Sequence, residues 1–139
     1  MVHRVIDGDT IELTDGRLVR YIGIDAPEVR RRARPGDREW RAKEQWVVDP
    51  EPFARAATEA NRRLVEGEPV HLEYDEQLED RYGRTLAYVY VGEQIVNETL
   101  VADGYAHVLT IPPNMRYANR FRLLANEARR ARRGLWRGN

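Results

Sequence analysis

The sequence predicts an α+β fold, a small barrel of short strands with helices packed outside it. Five or six short runs rich in Val, Ile, Leu and Tyr are separated by turn residues. Three stretches with helical spacing are set apart from these runs instead of alternating with each of them. The length of 139 residues corresponds to one domain with a core of its own.

The first half of the chain begins with β structure. Residues 2–6, 10–13 and 18–24 predict three strands, and the Asp-Gly pair at 15–16 predicts a two-residue hairpin turn between the last two. Residues 29–48 are highly charged and contain a Pro-Gly break, which predicts a surface loop with one helical turn.

A helix is predicted next, from an Asp-Pro start at 49–50 to Gly67. Residues 70–74 and 85–91 predict two further strands, and the second turns at Gly92.

The C-terminal part predicts two helices. Asn97 is expected to cap a short helix that Gly104 closes, and residues 105–111 are expected to be extended. A last helix is predicted by apolar residues on one face, namely Tyr117, Phe121, Leu124 and Ala128.

Composition excludes several chemistries. The chain has no Cys and no Ser, so disulfides, thiolate metal sites, Cys nucleophiles and Ser-based triads are impossible. No apolar run approaches the roughly 20 residues of a membrane span, and no basic-then-apolar leader is expected. Catalysis must therefore use carboxylates, His, Tyr, Thr, Arg or a metal, and the three His are scattered.

Charge is balanced in total but not in distribution. The chain carries 23 basic and 23 acidic residues, and Lys43 is the only Lys. Residues 66–80 carry seven acids and no Arg or Lys, whereas 104–139 carry eight Arg and one acid, and 29–44 carry seven Arg and Lys residues against three acids. Such asymmetry can mark a face for a polyanion, or it can be two solvated helices and an acidic strand pair.

Three motifs could carry chemistry, and each has a structural alternative. The string DGDT at 7–10 puts two carboxylates on one strand face, as hard cations require, but it is also a hairpin turn. The string DAPE at 25–28 is either a helix cap or a carboxylate pair at the mouth of the barrel. The string RYGR at 81–84 is either a turn with Gly83 at positive φ or a phosphate clamp beside an aromatic platform. Arg20, inside an apolar strand, must snorkel outward or pair with an acid.

Together these strings resemble the staphylococcal nuclease (thermonuclease) family. VIDGDT, Arg20 five residues before DAPE, DRYGR before LAYVY, IVNETLVADGYAHV and the final GLW occur in the family's order over almost the whole chain. The differences are a longer Arg-rich loop at 29–48 and a segment around Thr110 that is one residue short and lacks the family's tyrosines.

The resemblance implies a five-stranded OB-fold barrel with three helices, and a Ca²⁺-dependent nuclease acting on DNA, RNA or both. Because Tyr82 is the only evident aromatic wall for a base, low sequence specificity is expected. The resemblance also implies the role of each matching residue. By the resemblance, calcium is bound by Asp9, Asp25 and the Ala26 carbonyl, with Asp7 behind the metal. The attacking water is oriented or deprotonated by Glu28, the scissile phosphate is bound by Arg20 and Arg84, and the nucleotide is bordered by Tyr82 and Arg81.

Alternative functions remain open at this point. Some domains of this family lose the metal carboxylates and bind nucleic acid or protein without turnover, but here none of the five charged catalytic and ligand residues is missing. A plain OB domain that binds single strands is a further alternative. We expect a monomer, and the family resemblance favours a secreted or cell-envelope protein.

Overall fold

Residues 1–137 are described by the computed structural model, and they form ten strands, four α-helices and one turn of 3₁₀ helix. In chain order the strands are β1 (Val2–Asp7), β2 (Thr10–Leu13), β3 (Leu18–Tyr21), β4 (Ile24–Asp25), β5 (Arg30–Arg32), β6 (Trp46–Val48), β7 (His71–Glu73), β8 (Thr85–Val91), β9 (Gln94–Ile95) and β10 (His107–Val108). The helices are α1 (Arg38–Arg41), α2 (Ala54–Val65), α3 (Val96–Ala102) and α4 (Ala118–Arg130), and the 3₁₀ turn is Gly134–Trp136. None of these described helices is long and apolar enough to cross a membrane.

The main sheet confirms the predicted α+β class. Its strands follow the order β1-β2-β3-β8-β7, and the short β9 pairs with β8. The β3–β8 contact is parallel and the other pairs are antiparallel. This is a path of five strands, as the OB-fold requires. Strands β4 and β10 form a separate antiparallel pair, which adds a short edge next to the DAPE segment.

The three longer helices pack against this sheet and correspond to the three predicted ones. Helix α2 packs on β1, and α3 packs between β8 and α4. The buried face of α4 includes Phe121, Ala125 and Ala128, as its apolar spacing predicts. In the core, the Tyr21 hydroxyl donates to Asn61 Oδ1 over 2.6 Å, and Asn61 Nδ2 donates to the Asp7 carbonyl over 2.9 Å. The core therefore fixes the end of β1.

Glycine conformation divides the predicted third strand in two. Gly23 has a φ of +84°, and a Cβ at this position would lie 2.8 Å from the Phe121 ring. Only glycine satisfies both conditions, so the chain turns between β3 and β4. The preceding hairpin also differs from the prediction. Its loop contains three residues, 14–16, because the Leu13 amide donates to the Arg17 carbonyl and Gly16 adopts a φ of +92°.

Two predicted helix starts are wrong. Helix α2 begins at Ala54, since the Asp49 carboxylate accepts a hydrogen bond from Arg31 Nε at 2.8 Å and does not cap the helix. Asn97 lies inside α3, where its side chain accepts from the Val89 amide over 2.9 Å and donates to the Ile22 carbonyl over 2.8 Å. Both polar side chains thus form long-range contacts that outweigh a local cap.

The segment 29–48 is more ordered than the predicted loop. Strands β5 and β6 pair as an antiparallel two-stranded ribbon, and α1 supplies the single helical turn between them. We call β5 and β6 together the arginine ribbon.

Candidate active site

The DGDT string forms the turn between β1 and β2. Asp9 lies in this turn and not on a strand face with Asp7, and the Asp9 amide donates to Asp7 Oδ1 over 3.0 Å. A Cβ on Gly8 would lie 2.6 Å from the Cβ of Ala26 and 2.9 Å from that of Ala57. Glycine is therefore required for this close approach, which presses the turn against the DAPE segment and α2.

Asp9 links the turn to the DAPE segment. Its side chain is almost fully buried, and Oδ2 accepts the Ala26 amide over 2.8 Å. The other oxygen, Oδ1, accepts the Thr10 hydroxyl over 3.0 Å. The two motifs, which begin 18 residues apart in the sequence, are thus joined through one carboxylate.

Arg20 brings the two predicted calcium ligands together. Its Nη1 donates to the carbonyls of Tyr21 and Ile24 over 2.8 and 2.9 Å, which fixes the guanidinium. Its Nη2 lies 3.3 Å from Asp9 Oδ2 and 3.4 Å from Asp25 Oδ1. Only 14% of the Arg20 side chain is exposed, so it pairs instead of snorkelling, as one of the two sequence alternatives predicted.

The carboxylates at this point carry more negative charge than Arg20 offsets. Burial, followed by the charge of Asp9, raises the pKa of Asp7 to about 8. Burial and Asp9 also raise the pKa of Asp25 above its usual range. Partial burial together with Asp9, Glu51 and Asp25 raises the pKa of Glu28. Carboxylates that repel one another in this way favour a bound cation.

The donor set fits a hard divalent cation. Asp9 and Asp25 offer carboxylate oxygens, and the neighbouring backbone carbonyl of Ala26 is a further oxygen of the kind that Ca²⁺ accepts. Within residues 1–137, no group of three or more His, Cys, Asp and Glu side chains is close enough together to hold a metal ion. Carbonyl and water ligands would have to complete such a site.

Arg84 is held by a turn that the sequence analysis did not assign to the site. Asp80 Oδ1 accepts the amides of Tyr82 and Arg84 over 2.9 and 3.0 Å, and Asp80 Oδ2 accepts Arg84 Nε over 2.7 Å. Gly83 has the predicted positive φ, +81°. The spacing of Asp80 four residues before Arg84 was a signal that could have identified this anchor.

Two cavities meet at Arg84. One, of about 450 Å³, is lined by Arg20, Arg81, Tyr82, Arg84, Ile111 and Asn114 among others. The other, of about 300 Å³, includes Asp7, Thr10, Glu28, Arg84 and Trp46 in its wall. The structure thus brings the two predicted phosphate-binding arginines to one cavity, and places Glu28 in the adjoining one.

Comparison of the sequence with known proteins identifies the family of this chain. A model of the staphylococcal nuclease homologue family matches residues 18–138. This chain belongs to the staphylococcal nuclease family. It is 36% identical over 138 residues to a thermonuclease of Staphylococcus hyicus, covering 97% of this chain and 73% of that protein. It is 35% identical to the thermonuclease of Staphylococcus intermedius over 98% of this chain and 74% of that protein. It is also 36% identical to endonuclease YncB of Bacillus subtilis strain 168, over 96% of this chain and 59% of that protein.

The chain is therefore a phosphodiester hydrolase whose substrate is nucleic acid. In this staphylococcal nuclease homologue, Tyr82 is an exposed aromatic wall of the larger cavity. Arg81 Nη2 donates to its hydroxyl over 2.9 Å, and the Arg81 guanidinium lies 5.0 Å from its ring centroid. The larger cavity also has an aliphatic wall, formed by Leu109 and Ile111.

Tyr117 does not replace the missing tyrosines near Thr110. Its hydroxyl donates to Glu73 Oε1 over 2.8 Å, and its ring centroid lies 4.7 Å from that of Tyr88. The Tyr117 side chain is therefore part of a packed network around Glu73.

Proposed function

We propose that this chain is a calcium-dependent nuclease that hydrolyses DNA or RNA with low sequence specificity. The observation that carries the proposal is the approach of Asp9 and Asp25 to a single nitrogen of Arg20. This arrangement places carboxylate oxygens that can bind a metal ion next to a guanidinium that can bind phosphate. Arg84 lines the same cavity as Arg20, which supports a phosphate position between the two guanidinium groups.

Asp9, Asp25 and the Ala26 carbonyl would hold the calcium ion, and Asp7 would stand behind it. When bound, the ion would neutralise negative charge on the phosphoryl oxygens. Asp7 orients the ligand turn, since its Oδ1 accepts the Asp9 amide.

The two arginines would bind the scissile phosphate and stabilise the charge that develops in the transition state. Arg20 uses Nη1 for backbone carbonyls, and its Nη2 lies beside Asp9 and Asp25, so a phosphate would share that nitrogen with the two carboxylates. Arg84 donates from Nε to Asp80. Its two Nη groups, which lie in one plane, would donate to the phosphate of the substrate.

Glu28 would act as the general base. Its side chain lines the same cavity as Arg84. It accepts one proton from the attacking water, whose oxygen forms the new bond to phosphorus while the bond to the leaving oxygen breaks. The leaving oxygen takes its proton from solvent.

Low sequence specificity follows from the wall of the larger cavity. Tyr82 provides a stacking face, which accepts any base. The amide groups of Gln77 and Asn114 lie in the same wall but are already bonded to backbone. Three of their four side-chain polar atoms are thus engaged, which reduces their capacity to read the edges of a base. We therefore expect weak, unselective binding of mononucleotides and nucleoside bisphosphates.

The test is degradation of plasmid DNA and of RNA with calcium, with magnesium and with excess chelator. We expect calcium to support cleavage best and chelator to abolish it, and re-addition of calcium serves as the control. Asp25→Asn should weaken calcium binding in a titration of the protein, whereas the matched change Asp15→Asn in the β2–β3 loop should not. Undiminished cleavage in chelator would contradict the proposal, and binding without cleavage would favour a nucleic-acid-binding module.

We further propose that residues 1–139 act as one domain and as a monomer. The family match to 18–138 supports a single unit. Light scattering coupled to size-exclusion chromatography measures the mass directly, and a mass of twice 16.2 kDa would contradict the monomer.

A further inference from the structure

The arginine ribbon has two different faces. Arg31 pairs with Val47, whereas Arg30 pairs with Val48 and Arg32 with Trp46. Side chains alternate along a strand and directly opposite residues share a face. One face of the ribbon therefore carries Arg31 and Val47, and the other carries two arginines, a valine and a tryptophan.

The first face is anchored. Arg31 donates from Nη1 to Asp37 Oδ2 and from Nε to Asp49 Oδ2, both over 2.8 Å. Val47 is buried, with 9% of its surface exposed. The ribbon is thus held in place by its Arg31 side.

The second face has unpaired charge and an exposed ring. In the part of the chain that the structure describes, neither Arg30 nor Arg32 has a carboxylate oxygen within 4.0 Å. Trp46 keeps 45% of its surface exposed. Two free guanidinium groups beside an exposed indole are suited to a phosphate and a base.

This face borders the candidate active site. Trp46 and Arg30 line the cavity of about 300 Å³ that also contains Glu28 and Arg84. Ile6, Leu18 and Val29 supply apolar surface there. The volume lies at the lower end of the range for small-ligand pockets.

Arg32 links this cavity region to Tyr82. Its guanidinium carbon lies 5.0 Å from the Trp46 ring centroid and 5.8 Å from that of Tyr82. The Arg32 guanidinium is therefore close to both aromatic rings, and Arg84 lines both cavities. A strand whose scissile phosphate lies at Arg84 can place one base at Tyr82 and another at Trp46.

We propose that the arginine ribbon forms a second nucleotide subsite, in which Trp46 stacks on a base and Arg30 and Arg32 bind the adjacent phosphate. The subsite lies beside Arg84, and Arg32 connects it to Tyr82. The inference rests on the proposed function, because it assigns a neighbouring nucleotide of the same substrate. Charge complementarity selects the occupant, since the free groups on this face are cationic and aromatic.

The first experiment compares Trp46→Ala with Trp40→Ala, a matched change at an exposed tryptophan of the same segment that does not line this cavity. Each is assayed on a nitrophenyl diester of a single nucleoside and on a single-stranded DNA octamer. Loss of one stacked base predicts a roughly 5- to 100-fold lower kcat/KM on the octamer for Trp46→Ala, with the short diester unchanged. Trp40→Ala should change neither.

The second experiment keeps Trp46 in place and needs no turnover. The double variant Trp40→Phe and Trp136→Phe reports Trp46 fluorescence alone, and Trp46→Phe with Trp136→Phe reports Trp40. Both are titrated with the octamer in excess chelator. We expect the octamer to quench Trp46 and to leave Trp40 unchanged.

The outcomes separate the two proposals. Equal losses from Trp46→Ala and Trp40→Ala, or absence of Trp46 quenching, would overturn the subsite. A parent protein that cleaves no substrate would overturn the proposed function, while quenching of Trp46 alone would still support the subsite.

Discussion

In two groups of acidic side chains burial raises the pKa, to different extents, but the groups differ in the neighbours that act on each carboxylate. We call Asp7, Asp9, Asp25 and Glu28 the site carboxylates, and Glu73 and Asp75 the tyrosine-capped carboxylates. In the first group the pKa values of Asp7, Asp25 and Glu28 are raised. In the second group burial alone would also raise the pKa, but hydrogen bonds to the carboxylates outweigh burial, so both pKa values are lowered.

The tyrosine-capped carboxylates receive donors from β8 and from the start of α4. Tyr90 and Tyr117 each donate to Glu73 Oε1 over 2.8 Å, and Arg116 Nη1 donates to Oε2 over 2.9 Å. Tyr88 donates to Asp75 Oδ2 over 2.8 Å. A carboxylate whose donors come from the fold stabilises the fold. A carboxylate left with its neighbours' negative charge is available to a ligand, as the raised pKa values indicate.

The largest contrast is expected from the same substitution made in each group. Glu28→Gln should lower kcat by roughly 10²–10⁴-fold with little loss of stability, because it removes a general base and relieves charge repulsion. Glu73→Gln should lower the urea midpoint while the folded fraction keeps its kcat. Steady-state kinetics and urea unfolding of both variants check this. An unchanged kcat in Glu28→Gln would remove Glu28 from the chemistry.

A second contrast uses arginines. Arg84→Gln removes donors from the developing charge of the phosphate, so kcat/KM should fall by about 10²–10³-fold. Arg116→Gln removes a donor from Glu73 and should leave kcat/KM within about twofold. If both variants lose activity equally, the two arginines do not have separate roles.

The sequence was informative where a residue's contacts are local. The alternation at 85–91 and the apolar spacing after Tyr117 predicted β8 and α4, because strand and helix periods are set by immediate neighbours. The DGDT and DAPE strings marked two groups of carboxylates in the sequence, but the contact that joins them, from the Ala26 amide to Asp9, is long-range and is visible only in the structure.

What the sequence could not show depends on long-range partners. Asp49 and Asn97 have the residue types of helix caps, but Arg31 and the Ile22 carbonyl engage them instead. The arginine ribbon was predicted as a loop because strand propensity in its Arg-rich half is weak and its pairing is non-local. Asp80 was missed because the sequence shows only its spacing from Arg84, whereas the hydrogen bonds by which it holds Arg84 are visible only in the structure.

Stability gives a third contrast. Asp75→Asn leaves the Tyr88 hydroxyl and the Arg116 amide with a poorer acceptor, so the free energy of unfolding should fall by about 1–3 kcal/mol. Asp25→Asn removes a charge that its surroundings disfavour, and should change the free energy of unfolding by less than about 0.5 kcal/mol or increase it. Urea denaturation at pH 7 without metal measures both. A larger loss in Asp25→Asn would contradict the distinction between the groups.

The pH dependence of stability sharpens this contrast. The folded-state pKa of Asp75 is lowered, so its contribution is present above the unfolded value of about 3.9 and is lost as pH falls through the folded value. The parent should therefore lose stability below about pH 4 more steeply than Asp75→Asn. Urea midpoints between pH 7 and 3 test this, and identical slopes in the two proteins would exclude Asp75 as a source of acid sensitivity.

The smallest expected effect is on the salt dependence of nucleic-acid binding, and it comes from comparing paired and unpaired arginines of the ribbon. Arg30 and Arg32 lack carboxylate partners among residues 1–137, whereas Arg31 is paired with Asp37 and Asp49. A free arginine can neutralise a phosphate, and each phosphate neutralised on a single strand adds about −0.7 to the slope of log affinity against log salt. A paired arginine can contribute only by breaking its existing pairs.

We therefore expect Arg30→Gln with Arg32→Gln to reduce the magnitude of the salt slope by about 1–1.5 in octamer binding. Arg31→Gln should leave the slope unchanged and lower the urea midpoint slightly, because an exposed ion pair contributes roughly 0–1 kcal/mol. Anisotropy titrations at several salt concentrations, in a Glu28→Gln background, measure the slopes without cleavage. A reduced slope in Arg31→Gln alone would mean that nucleic acid competes with Asp37 and Asp49 for this guanidinium. The division of the ribbon into an anchored face and a binding face would then be wrong.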